Sequence, residues 1–216
     1  MGRMLGLLLA GLLAGDLLAS ELQVTLLAPD GEPLADAVLW IEPGPPASTA
    51  PAAELLDQQK RTFAPYILPV QRGTTVRFPN SDPINHHVYS FSPSKRFELR
   101  LHHQGDAAQE VLFDKPGLVT LGCNIHDWML GFVLVVDTPW FAQTDARGQA
   151  RLSYTPATGQ QLHLWHPRIA DPAPSLSRAL PAGDNSLNWQ LSQPLKRDPR
   201  PKPPRNMPSG KGGYKD

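Results

Sequence analysis

The sequence predicts an all-β protein: an antiparallel β-sandwich with a small additional β region. Two observations carry this prediction. Apolar residues occur in short segments in which every second residue is apolar, a period typical of half-buried strands. The 24 prolines and 17 glycines divide these segments, as the turns between short strands require. The length of 216 residues is enough for one sizeable domain or two small ones.

The formal charges of the chain balance. Lys plus Arg and Asp plus Glu each number 20. This balance argues against a broad electrostatic surface for nucleic acid or for anionic membrane. A metal, a small molecule or another protein is the expected partner.

The N-terminus has the layout of a secretory signal peptide over residues 1–20. Arg3 precedes an apolar run over residues 4–14, and small residues lead to Ser20. The run is interrupted by Asp16 and is short for a bilayer span, so we expect no integral membrane span in the mature protein. The signal predicts export to the periplasm. Leu18 is not ideal before a cut after Ser20, and the cleavage point stays open.

Strands are expected along the chain wherever the two-residue period recurs. They are predicted near residues 22–26, 37–41, 66–70, 76–78, 86–91, 97–101, 111–113, 119–123 and 131–136. A loop rich in Pro, Ala and Ser covers residues 43–51, and one short helical turn is expected at 54–60. The almost continuous apolar run 131–136 is typical of a strand inside a sandwich.

These patterns predict three parts after the signal. Residues 21–137 form the main domain, with 21–60 as an N-terminal β extension. Residues 138–193 restart the period-2 pattern and form a small β-sandwich-like appendage. The Pro-rich, basic residues 194–216 cannot bury a core, so they are predicted to be a disordered tail.

Cys123 is the single cysteine, and it is followed at spacings of three by His126 and Met129. One cysteine cannot form an internal disulfide in an exported protein, so it has another role. A short loop can wrap the thiolate, imidazole and thioether around one ion. Cys, His and Met together select copper over magnesium, calcium or manganese. A second histidine from another strand would complete the site.

The chain resembles a plastocyanin or amicyanin, and thus a cupredoxin, over roughly residues 63–136. In that family the first copper histidine lies eight positions after an aromatic strand end, and His86 lies eight positions after Phe78. The second part of the family site runs Cys, two residues, His, a few residues, Met, as Cys123, His126 and Met129 do here. The short gap before Met129 is closer to amicyanin than to plastocyanin.

The resemblance implies a Greek-key β-sandwich holding one type 1 (blue) copper ion by His86, Cys123, His126 and Met129. It implies one-electron transfer with a transient redox protein partner rather than an enzyme activity, and a methylamine-utilisation role is compatible with the amicyanin-like loop. One departure is His87, where the family usually has Asn tying the two ligand loops together. We expect His87 to face away from the ion because side chains alternate along a strand.

Three alternatives stay open at this stage. The same residues could store or deliver copper without transferring electrons. Cys123 could be a nucleophile with His126 as its base, although no third orienting group is apparent. A zinc site would leave Met129 without a role. The remaining histidines are expected to be ordinary residues: His102, His103, His163 and His166.

Overall fold

A computed structural model describes residues 19–46, 51–100, 103–169, 175–181 and 185–200. In these ranges the regular structure consists of β-strands, so the predicted all-β class is confirmed. No helix within them is long and apolar enough to cross a membrane. Most of the predicted signal peptide, residues 1–18, lies outside the described residues.

The strands are numbered in chain order. The first twelve are β1 (Ser20–Leu27), β2 (Val38–Glu42), β3 (Glu54–Leu55), β4 (Asp57–Gln59), β5 (Thr62–Ala64), β6 (Ile67–Gln71), β7 (Thr74–Phe78), β8 (Val88–Ser92), β9 (Lys95–Glu98), β10 (Gln109–Phe113), β11 (Gly117–Cys123) and β12 (Leu130–Val136). The last five are β13 (Phe141–Gln143), β14 (Gln149–Tyr154), β15 (Gln161–Trp165), β16 (Leu176–Ala179) and β17 (Ser186–Gln190).

Strands β3 to β12 form the first sandwich, which holds the candidate site. A five-stranded sheet has the order β6-β12-β11-β8-β9, and a three-stranded sheet has the order β10-β7-β3. The alternating apolar residues of both sheets meet in one core that includes Phe78, Phe113, Leu121 and Cys123. Cys123 therefore lies at the end of a core strand, as its alternation with Val119 and Leu121 predicts.

Strand β12 is apolar at nearly every position because both of its faces are covered. Val133 and Val135 face the core of the first sandwich. Phe132, Leu134 and Val136 belong to a separate apolar cluster with residues of β2 and β15. The continuous run thus indicates an interior strand, and a neighbouring sheet covers the face that alternation would otherwise leave exposed.

The remaining strands form a second sandwich. Strand β1 lies between β14 and β17 in one sheet, and the other sheet has the order β13-β2-β15-β16. Leu22, Val24 and Leu26 of β1 pack against Leu39 and Ile41 of β2 in the core of this sandwich. The N-terminal strands therefore complete the sandwich formed by residues after 138. This pairing differs from the sequence-based grouping of residues 21–60 with the main domain.

The helical turn expected at residues 54–60 is wrong. The segment forms β3 and β4, and β4 pairs with β5 as an antiparallel hairpin. Gln58 of β4 is buried, and its side chain donates to the carbonyl of Pro79 at 2.9 Å. The polar residues of this segment serve contacts with a neighbouring loop, and helix periodicity cannot reveal such contacts.

The first residues of the predicted tail contact the second sandwich. The backbone N–H of Lys196 donates to the carbonyl of Arg168 at 2.7 Å, and Leu195 forms a β-bridge with Ile169. The Arg200 guanidinium lies 4.7 Å from the centre of the Tyr66 ring. Residues 201–216 lie outside the described residues.

His166 is expected to make the stability of the second sandwich depend on pH. Burial, and to a smaller extent nearby Arg168, lower the pKa of His166 from about 6.5 to about 4. In the unfolded chain the pKa of His166 is about 6.5, so below this pH the unfolded chain binds a proton that the folded chain does not. The contribution of His166 to the free energy of unfolding is complete above about pH 6.5. It is lost as the pH falls toward 4, by at most about 3 kcal/mol.

Urea unfolding followed by tryptophan fluorescence at pH 7.5, 6 and 5 measures this dependence. His166→Gln is expected to flatten the fall in the free energy of unfolding below pH 6.5. His103→Gln, at an exposed position, is the control and should keep the wild-type pH dependence. Equal pH dependence in wild type and His166→Gln would contradict the assignment.

Candidate metal centre

The site lies where strand β11 ends beside the start of β8. Cys123 is the last residue of β11 and pairs with Val88, the first residue of β8. His86 precedes β8 by two residues, so the strand pairing brings it to the thiol. The loop from 124 to 129 then carries His126 and returns the chain into β12.

Three side chains meet at one point. The Cys123 sulfur lies 3.8 Å from His86 Nδ1 and 3.6 Å from His126 Nδ1. The ligand atoms of the three residues all lie within 4.8 Å of one another. His86 is 0% exposed and Cys123 3%, whereas His126 is partly exposed. The cluster is therefore closed on the protein side and approachable beside His126.

Met129 closes the loop at the start of β12. Its backbone N–H donates to the carbonyl of His126 at 2.9 Å, which makes the loop a tight turn. The Met129 side chain is 3% exposed and belongs to the same apolar cluster as Cys123. The structure thus keeps Met129 buried on the loop that also carries His126.

His86 and His87 have different surroundings. His87 Nε2 lies 2.9 Å from a carboxylate oxygen of Glu98, and its Nδ1 lies 3.4 Å from Asn124 Nδ2. The backbone N–H of Asn124 also donates to the carbonyl of His87 at 3.0 Å. His87 and Asn124 thus connect the two loops that carry His86 and His126, the connection that the resemblance assigns to the missing Asn.

Asp82 contacts the candidate ligand His86, and the sequence does not predict this contact. Its Oδ2 lies 2.9 Å from His86 Nε2, on the side of the ring opposite the sulfur-facing nitrogen. Asp82 is buried and also accepts hydrogen bonds from the backbone N–H groups of Lys60 and Arg61. In the sequence, only the spacing of four residues between Asp82 and His86 relates the two side chains. In a loop, such a spacing does not indicate whether two side chains are in contact.

The surroundings of His126 favour its neutral form. Burial lowers the pKa of His126, and His86 and Arg61 lower it further, while Asp82 acts in the opposite direction. A neutral imidazole retains the lone pair that metal binding requires. The electrostatics therefore favour the form of His126 that can act as a ligand.

Trp128 packs between the loop and the core. Its ring is tilted against His126 with the ring centres 5.1 Å apart, and it contacts the apolar cluster of the first sandwich. His103, His163 and His166 lie apart from the cluster, and His102 lies outside the described residues. His163 stacks on Trp40 in the second sandwich, with ring centres 5.2 Å apart.

The distances from sulfur to nitrogen fit a shared metal ion. Metal–sulfur and metal–nitrogen bonds of about 2.3 and 2.0 Å, the values for zinc, separate sulfur from nitrogen by about 3.7 Å at an angle of 120° and by about 3.5 Å at a tetrahedral angle. The observed separations are 3.8 and 3.6 Å. The three side chains are therefore close enough together to share one ion, and their spacings suit both geometries.

No protein-family model and no curated protein matches the sequence. The chain is similar to solved structures that include a purple cupredoxin from Nitrosopumilus maritimus, at 25% identity, 40% of this chain, 100% of that chain and a TM-score of 0.34. It is also similar to a reduced mutant form of amicyanin, at 23% identity, 45% of this chain, 98% of that chain and a TM-score of 0.37.

A third similar structure is a Cu-containing nitrite reductase from Thermus scotoductus SA-01. It is 22% identical, and the similarity covers 51% of this chain and 28% of that chain with a TM-score of 0.38. Over less than half of its length, the chain is similar to cupredoxins of known structure.

Proposed function

We propose that this protein is an exported type 1 copper protein that transfers single electrons. His86, Cys123, His126 and Met129 would hold one copper ion. The observation that carries the proposal is the pair of sulfur–nitrogen separations at Cys123, 3.8 and 3.6 Å, which suit a trigonal set of two imidazoles and one thiolate.

The donor set supports copper over zinc. Thiolate and thioether sulfurs suit Cu(I), while imidazole suits both oxidation states. When bound, copper would supply a one-electron couple between Cu(I) and Cu(II). Met129 lies buried at the end of the same loop, where the family places a weak axial sulfur, whereas zinc would leave it without a role.

The surroundings of the site support electron transfer over storage. His86 and Cys123 are held by paired strands and by buried contacts, so the ligands need to move little between oxidation states. His126 is the less buried of the two histidines, and Ile125 beside it is exposed. A redox partner would dock at this edge through a small transient interface.

A copper titration of the mature protein tests the proposal. We expect one Cu(II) per chain, an intense blue or green absorption from sulfur-to-copper charge transfer, and a matching electron-spin-resonance signal. Ascorbate should bleach the colour, and ferricyanide should restore it with copper retained on the protein after gel filtration. Copper that leaves on each cycle would instead favour storage or delivery, and a colourless complex would exclude the type 1 assignment.

Export is a separate prediction from the N-terminal segment. In a Gram-negative host, the mature protein is expected in the periplasmic fraction without the predicted signal of residues 1–20. Immunoblotting of fractions and mass spectrometry of the N-terminus measure this outcome. Replacing Leu7, Leu8 and Leu9 with Asp is the control that should retain the protein in the cytosol. Full-length wild type in the cytosol would contradict export.

A further inference from the structure

We propose that Asp82, held by the turn between β4 and β5, is a positioning residue that fixes the His86 ring with Nδ1 toward Cys123. The inference rests on the proposed copper function. It adds Asp82, which lies behind a candidate ligand and is not itself one, to the site. It assigns the turn of the β4–β5 hairpin, Lys60 and Arg61, a role in preparing the site before metal binds.

The Asp82 carboxylate receives hydrogen-bond donors on both of its oxygens. Oδ1 accepts from the Lys60 backbone N–H at 2.5 Å, and Oδ2 accepts from the Arg61 backbone N–H at 2.7 Å. Oδ2 also lies 2.9 Å from His86 Nε2. Backbone amides can only donate, so this arrangement suits an ionised carboxylate.

The turn adopts a conformation that places both amides on one carboxylate. Lys60 and Arg61 have φ values of 55° and 57°, in the left-handed region. Two such residues connect antiparallel strands with the right twist, but for residues with a Cβ this conformation costs energy, and Gly or Asn usually occupies it. The two hydrogen bonds to buried Asp82 offset that cost, because bonds to an ionised acceptor are the stronger kind.

The hairpin also holds the loop on which Asp82 lies. The carbonyl of Gln58 accepts from the backbone N–H groups of Ser81 and Asp82, at 3.0 and 3.2 Å. Asp82 is therefore tied to β4 by its own backbone as well as by its side chain, and the carboxylate has little freedom to move.

This arrangement selects one form of the His86 ring. A carboxylate that only accepts requires a proton on His86 Nε2, and in the neutral ring this leaves the lone pair on Nδ1. Nδ1 is the nitrogen that lies 3.8 Å from the Cys123 sulfur. The carboxylate thus fixes both the orientation and the tautomer of His86, and a hydrogen-bonded carboxylate of this kind also raises the basicity of a metal-binding histidine.

Two readouts on Asp82→Ala test the proposal. In the metal-free protein, the ring nitrogen chemical shifts of His86 report its tautomer, and we expect the wild type to hold the proton on Nε2 and the variant to populate both forms. In the copper-loaded protein, competition with a Cu(I) chelator should show a dissociation constant about 10- to 100-fold higher in the variant. Asp82→Asn keeps the shape of the side chain and should show a smaller change in the same direction.

Asp57→Ala is the matched control, because Asp57 lies in the same hairpin and bonds to the same loop through Ser81. It should keep the tautomer and stay within about threefold of the wild-type copper affinity, below the range expected for Asp82. Equal losses in Asp57→Ala and Asp82→Ala, or an unchanged tautomer in both Asp82 variants, would overturn the proposal. A tautomer change on Asp82→Ala in a protein that binds no copper would support the positioning role and contradict the copper function instead.

Discussion

Cys123→Ser is expected to abolish the intense visible absorption of the copper-loaded protein. The absorption arises from charge transfer between a thiolate and Cu(II), and a serine hydroxyl supplies no such donor. Cu(I) affinity should fall by more than the roughly 10- to 100-fold cost of altering a residue behind a ligand. Absorption spectra and chelator competition on the same samples measure both effects.

Serine is nearly isosteric with cysteine, so the fold has little reason to change. Cys123 is buried in the core of the first sandwich, and circular dichroism of the metal-free variant should match the wild type. Asp57→Ala, which leaves the ligands in place, serves as the coloured control. Intense colour retained in Cys123→Ser would remove Cys123 from the ligand set and with it the type 1 assignment.

His86→Ala and His87→Ala are expected to differ sharply although the residues are adjacent. His86 Nδ1 lies 3.8 Å from the Cys123 sulfur in a fully buried position, so its loss removes one ligand and leaves a cavity. The blue colour should disappear, and added imidazole should restore part of it by entering that cavity. Titration with imidazole at fixed copper measures the rescue.

His87→Ala removes a contact with Glu98 and one with Asn124, at 2.9 and 3.4 Å. Glu98 is largely exposed, so the ion pair is worth about 0–1 kcal/mol to stability. The colour should remain, and cyclic voltammetry should show a modest shift in reduction potential through the loop that Asn124 begins. Loss of colour in His87→Ala with retention in His86→Ala would reverse the ligand assignment.

The clustering of most candidate ligands could be predicted because they lie close together in the sequence. Cys123, His126 and Met129 follow one another at spacings of three residues, and alternation along β11 predicted that the thiol faces the core. His86 needed the count from Phe78, which is a property of a family resemblance rather than of the chain alone.

The positioning hairpin could not be predicted from the sequence. Lys60 and Arg61 carry none of the Gly, Asn or Asp signals of a tight two-residue turn, and polar residues around them favoured a helical turn. Their conformation depends on Asp82, which lies more than twenty residues away in the chain. A turn that is stabilised by a side chain distant in sequence produces no hydrophobic period in the turn or in the loop that contacts it.

The pairing of β1 with strands near the C-terminus was equally hidden. Alternation identified β1, β14 and β17 as strands, but it contains no information about which strands share a sheet. The same holds for the outer face of β12, whose apolar residues indicated burial without identifying the covering strands. Tertiary pairing, and not local propensity, decided both features.

The strands of the second sandwich come from two parts of the chain, before and after the first sandwich, and this affects the order of folding. Strands β1 and β2 are made first, yet their partners β14, β15 and β17 follow more than a hundred residues later. The first sandwich is encoded entirely between them and can close while those two apolar strands still lack partners. Pairing over such a long sequence separation is slow, and it leaves the edges of β1 and β2 open to association with other chains. We therefore expect a chaperone that binds β1 and β2 to increase the yield of folded protein.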